Sequence, residues 1–160
     1  MKRCIFLLGT LVACASASAA WEYEPIADKM SGKTGVRADV TSDNQLSFDF
    51  PYQGQNQGFL TVRQHPQYGL GVIVSINKGQ MLCNVYDCKV SVKFDDAKPV
   101  TYSGSAPSDH SSVSIFISDK AKFIAGAKKA KKILIQFSAF RNGSHILEFS
   151  TPQALEWPHN

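Results

Sequence analysis

The chain has 160 residues, 44% of them hydrophobic and 11% aromatic, with a formal net charge of +4. That length suits one domain able to bury a core unaided, and the apolar content excludes an intrinsically disordered chain. Lys2 and Arg3 belong to an N-terminal leader, so the remainder stands near +2 and makes no electrostatic case for nucleic acid.

The leader comes first. Met1-Lys2-Arg3 is a positive n-region, and Cys4 to Ala13 is apolar but too short to span a bilayer. The small residues Ala15 to Ala20 suit signal-peptidase cleavage after Ala19 or Ala20, so residues 1–20 read as a signal peptide and 21–160 as one domain. Leu11-Val12-Ala13-Cys14 offers a second reading, a lipobox in which Cys14 is acylated and anchors the chain to a membrane. The expected location is the periplasm or the outside of the cell, with the anchored lipoprotein as the alternative. No later segment approaches a membrane span.

Strand-like runs then follow at short intervals. Trp21 to Asp28 alternates loosely, and Thr34 to Thr41 carries Val36, Ala38 and Val40 in phase. Leu46 to Phe50 alternates cleanly until Pro51 ends it. Phe59 to Arg63 and Gly71 to Ile76 come next, followed by Lys89 to Phe94, which sets Val90, Val92 and Phe94 on one face. Val100 to Gly104 and Val113 to Ile117 complete this series.

One stretch predicts a helix. Ser118 or Asp119 caps it, and Phe123, Ile124, Ala127 and Ala130 recur at helical spacing. Lys128, Lys129, Lys131 and Lys132 crowd its expected last turn, where the helix dipole favours cations. They read as a solvated end or as a docking patch for an anionic headgroup or acidic partner. A closing hairpin has Ile133, Ile135, Phe137 and Ala139 on one face. A three-residue loop Asn142-Gly143-Ser144 would pair Phe137 with Phe149 and Ala139 with Leu147, keeping apolar against apolar. Eight or nine short strands with one helix near the C-terminal end predict a mainly β domain, an antiparallel β-sandwich or flattened barrel.

The candidate site residues are few. Cys83 and Cys88, a close pair in an exported chain, predict a disulfide. Four intervening residues suggest a hairpin loop with the cysteines as cross-strand neighbours. Val85 and Tyr86 sit at its tip, where an apolar pair is either an exposed contact point or, for Tyr86, folded back over the hairpin. Pro51 to Gly58, with Tyr52, Gln53 and Gln55, reads as an adaptable contact loop or a plain connection. His65, His110, His145 and His159 lack zinc-site spacing. Ser108-Asp109-His110 cannot form a triad from adjacent positions, and Asp95-Asp96 lie on one turn rather than facing each other across a cleft. No catalytic residue, metal or cofactor is therefore expected. The reading is a binding protein without catalysis.

Several pieces together resemble an uncharacterised family of small exported proteobacterial proteins. They are Trp21 with Asp28-Lys29-Met30, Phe48 to Tyr52, Leu60 to Arg63, Gly79-Gln80-x-x-Cys83, Cys88 to Asp96 with its Lys93-Phe94-Asp95-Asp96 turn, Phe123 with its helix, and Leu155-Glu156-Trp157. Their order more distantly resembles TagO/VasI, an accessory protein family of type VI secretion. That likeness implies a β-sandwich envelope protein acting by contact with a protein partner, and it names no catalytic residue. A second reading is an inhibitor or immunity protein that inserts the Cys83–Cys88 loop into a cell-wall hydrolase. A third is a hydrolase drawing on Asp95, Asp109 and His110.

Overall fold

The computed structural model describes residues 20–84 and 86–158. Residues 1–19, with the expected leader and Cys14, lie outside them, as do Val85 and His159. Nine antiparallel strands form one sheet: β1 (Glu22–Ala27), β2 (Thr34–Gln45), β3 (Gln57–His65), β4 (Gly69–Ile76), β5 (Lys89–Phe94), β6 (Val100–Ser105), β7 (Ser114–Ile117), β8 (Lys132–Ala139) and β9 (Gly143–Ser150). Helix α1 (Lys120–Ala127) is the single helix among the described residues. The sheet order is β1-β2-β3-β4-β7-β6-β5-β8-β9. The protein is thus mainly β with one short late helix, as its alternation of apolar and polar residues predicts.

The period-two pattern becomes a two-faced sheet. In β3, Gly58, Leu60 and Val62 are buried while Phe59, Thr61 and Arg63 are only partly so. β8 behaves alike, with Ile133, Ile135, Phe137 and Ala139 inward. The inward sides meet in one apolar cluster running from Trp21 to Trp157, with Phe123, Phe137 and Phe149 wholly buried. Each large side chain removed from water there contributes about 1.5–3 kcal/mol. The sheet curls so that β3 faces β9, where a methyl group added at Gly58 would overlap the Leu147 side chain.

No backbone ladder closes the sheet into a barrel. β2 and β9 instead meet through side chains. Asn44 Nδ2 donates to the Ile146 carbonyl at 2.8 Å, Asn44 Oδ1 accepts from Glu148 N at 2.9 Å, and Asp43 Oδ2 accepts from Ser150 N at 2.7 Å. Here an amide side chain occupies the place of a peptide unit on the β9 edge.

Four local expectations are corrected. Leu46–Phe50 is not a strand. The chain leaves the ladder after Gln45 pairs with Gln57, beyond an irregularity following Thr41. It keeps Leu46 and Phe48 buried but leaves Phe50 83% exposed. The closing hairpin is displaced by four residues, with Phe137 opposite His145, Ile135 opposite Leu147 and Ala139 opposite Gly143. Its loop is Phe140-Arg141-Asn142, because Arg141 as well as Gly143 takes positive φ, 59° and 72°. An even-numbered slip preserves the buried face, so apolar matching alone did not separate the two registers.

The helix is capped by Asp119, which accepts from Lys122 N at 3.2 Å, and ends before the lysine cluster. Lys128 is its C-cap, and Lys129, Lys131 and Lys132 follow the helix rather than occupying its last turn. Finally, Cys83 and Cys88 are not cross-strand neighbours. The lead-in segment bonds elsewhere, Met81 N to the Ser112 carbonyl at 2.7 Å and Leu82 N to the Ser138 carbonyl at 2.8 Å.

Candidate contact site

The backbone bonds that draw the Cys83 lead-in away from β5 also build the most distinctive end of the molecule. Gln80, Met81 and Leu82 lie along the end of β8: Phe140 N donates to the Gln80 carbonyl at 2.8 Å, and Met81 bridges Ala139. Asp49 N donates to Asn142 Oδ1 at 2.9 Å, which fixes the segment ahead of Pro51 against the β8–β9 turn. Three separate pieces of chain are thereby brought together. Between them lies a cleft of about 240 Å³ lined by Asp49, Phe50, Pro51, Tyr52, Gln80, Phe140, Arg141 and Asn142.

The rim is apolar and exposed. Phe50 is 83% accessible, Phe140 47% and Leu82 46%. The Arg141 guanidinium lies 5.2 Å from the Phe140 ring centroid, so its charge and that ring form one amphipathic surface. The loop following Leu82 is closed by the Cys83–Cys88 disulfide, as the spacing predicts. Tyr86 projects 98% into solvent, which resolves its orientation: it does not fold back. Asn84 Oδ1 accepts from both Tyr86 N and Asp87 N, at 2.9 and 2.8 Å, bracing the backbone under the exposed ring. Cys88 is itself buried and packs close over Gly104 of β6, anchoring the loop to the core.

The Pro51–Gly58 segment divides into parts. Tyr52 is half-buried against the core, whereas Gln53 and Gln55 are exposed. Asn56 is wholly buried, its amide donating to the Lys78 carbonyl at 2.8 Å and accepting from Lys78 N at 3.3 Å. Lys78 Nζ in turn donates to the Gln53 carbonyl. The segment is therefore a pinned loop with an exposed tip, and its polar residues serve the pinning as much as any contact.

The other candidates do not converge. Asp95 is fixed at the start of the β5–β6 turn, with Oδ1 accepting from Lys131 N and Lys132 N at 2.9 and 2.8 Å. Asp109 and His110 lie beyond the far end of β6. His65 and His145 are engaged in turns, Nδ1 of His65 accepting from Gln67 N at 3.1 Å and Nε2 of His145 lying 2.9 Å from the Asn142 carbonyl. Among the described residues no three of His, Cys, Asp and Glu are grouped as metal ligands. Displaced titrations lie away from the cleft: burial raises Tyr102 and Tyr23, the Ser31 hydroxyl lowers Asp28, and the Glu148 hydrogen bond raises Lys132.

Sequence reasoning singled out the disulfide loop and Tyr52 but missed Phe50, Phe140 and Leu82. In the sequence, Phe50 reads as the last residue of an alternating strand-like run. Among the described residues, no helix is long and apolar enough to cross a membrane. No family model matches the chain, and neither a curated protein nor a solved structure shows significant similarity to it.

Proposed function

We propose that this is an exported envelope protein that acts by contacting another protein, without catalysis, through the end formed by Phe50, Phe140, Leu82 and the Tyr86 loop. The observation that carries the reading is the concentration of exposed apolar side chains on loops held by backbone bonds, a buried asparagine and a disulfide. Solvent-facing aromatics on rigid loops lose little conformational entropy when covered, and Tyr, Phe and Arg are the residues that anchor interfaces.

The test is capture in the native envelope. Tagged protein is crosslinked in the periplasm beside a Cys83→Ser, Cys88→Ser variant. Opening a loop this short costs about 2 kcal/mol on the chain-entropy model, and the comparison is made with a variant that retains the far-ultraviolet circular dichroism of wild type. A single stoichiometric protein partner, recovered with wild type and at least tenfold depleted with the variant, is the expected result. Equal recovery from both, or no protein partner from either, would reject the reading.

The inhibitor reading is favoured by one specific feature, the 98% exposure of Tyr86 on a braced disulfide loop. It predicts a tight one-to-one complex that slows a muramidase or amidase. A panel of such enzymes left at full speed removes it.

A further inference from the structure

A second site lies on the outward face of β2, β3, β4 and β7, away from the apolar rim. There Arg37, Arg63 and Phe116, with Asp109 of the β6–β7 loop, are among the residues lining a groove of about 480 Å³. That volume falls within the range of small-ligand sites.

The floor of the groove is built around Arg63. Its pairing partner across the sheet is Gly71. Gly71 faces outward yet is buried, because the Arg63 side chain crosses it: a Cβ there would lie 3.3 Å from Nε and 3.4 Å from Cγ. The missing side chain lets the guanidinium pass over β4 and come to rest 5.5 Å from the Phe116 ring centroid on β7. A cation–π contact at this distance holds the guanidinium over the ring.

The two arginines of the groove differ in their partners. Arg37 is held by Glu24 at 2.9 Å and by Asp39 at 2.8 Å. Arg63 is paired with no carboxylate among the described residues, and its Nε is buried without an acceptor. A half-buried guanidinium without a counter-ion bears the desolvation cost of a charge without the compensating bond. We propose that this groove binds a ligand through its carboxylate, which pairs with the Nη groups of Arg63, the part of the guanidinium that is neither buried nor bonded. A carboxylate is favoured over a phosphate because Asp109 lines the groove and Asp39 stands behind it on Arg37, and both oppose a second negative charge. Asp109 at the rim also suits a ligand with a donor group beside its carboxylate, as at the end of a peptide. This site stands independently of the contact reading.

The test is a nuclear magnetic resonance titration of the purified protein with N-acetyl-alanyl-alanine, following the Arg63 Nε–Hε signal and the Gly71 and Phe116 amides. The C-terminal amide of the same peptide and inorganic phosphate are the comparison probes. Saturable shifts with the free acid, at least tenfold weaker with the amide and with phosphate, are expected. Arg63→Gln should weaken binding at least tenfold. Arg63→Lys, which keeps the charge but not the fork, should lose most of it as well and covers the case in which the glutamine variant fails to fold. No shift at Arg63, equal binding of the amide or of phosphate, or full binding by a well-folded variant would overturn the proposal.

Discussion

Phe48 and Phe50 are two positions apart in the same alternating run, yet one is 4% accessible and the other 83%. Phe48 packs its ring 4.7 Å from that of His145 and lies under Gly79, where an added Cβ would stand 2.5 Å from its ring. Phe50 comes after the Asp49–Asn142 bond has turned the chain out of the core. Burial is decided here by what covers a residue, which no local pattern encodes. Gly58 makes the reverse case. It is buried on the inner face of β3 because Leu147 of β9 fills the space a side chain would need. Gly58→Ala is expected to lower stability by roughly 1–3 kcal/mol through overpacking, read as a reduced denaturant midpoint with unchanged slope. A midpoint equal to wild type would show that the two layers are not in close contact there.

At the scale of elements, the edges are the vulnerable parts of an open sheet. β1 carries Glu22, Glu24 and Pro25, residues that discourage a further strand from adding. β9 is protected by the Asp43 and Asn44 side chains. Asn44→Ala would strip two hydrogen bonds from the β9 edge, and the expected loss is about 1–2 kcal/mol with faster aggregation on heating, measured by denaturation and light scattering. Unchanged stability and solubility would mean that water replaces the amide without loss. Most elements were legible in the sequence, since strands such as Lys89–Phe94 and Gly71–Ile76 announce themselves by alternation and the helix by its cap. Leu46–Phe50 has the alternation without the ladder, because the chain leaves β3 after Gln45 and Asp49 N is taken by the Asn142 side chain. The hairpin register escaped for a different reason: slips by an even number of residues conserve the face, and the choice fell to Arg141 adopting a conformation that its residue type does not advertise. The disulfide was legible from spacing alone. The Arg63 groove was not, because it joins β3, β4, β7 and a distant loop.

The whole molecule is polarised. β8 begins at Lys132, beside the lysine cluster, and ends at Ala139, beside Phe140 and the disulfide lead-in. At ~3.3 Å per residue the two regions stand ~25 Å apart. Six lysines and one aspartate fall within residues 118–132, and Lys128, Lys129 and Lys131 are exposed. Lysines are thus gathered at one end of β8, and Phe140 and Leu82 lie at the other, the end that the proposed function gives to a partner.

Site-specific photocrosslinking in living cells decides whether the Phe50–Tyr86 end is the contact surface. A photoreactive residue is placed singly at Phe50 and Tyr86, and at Met30 and Tyr68 as controls. The controls are comparably exposed, at 97% and 67%, but lie in turns beyond the other end of the long β2 and β3 strands. One discrete adduct of the same mass is expected from positions 50 and 86 and none from 30 and 68. Adducts from the control positions alone, or none from any position, would contradict it.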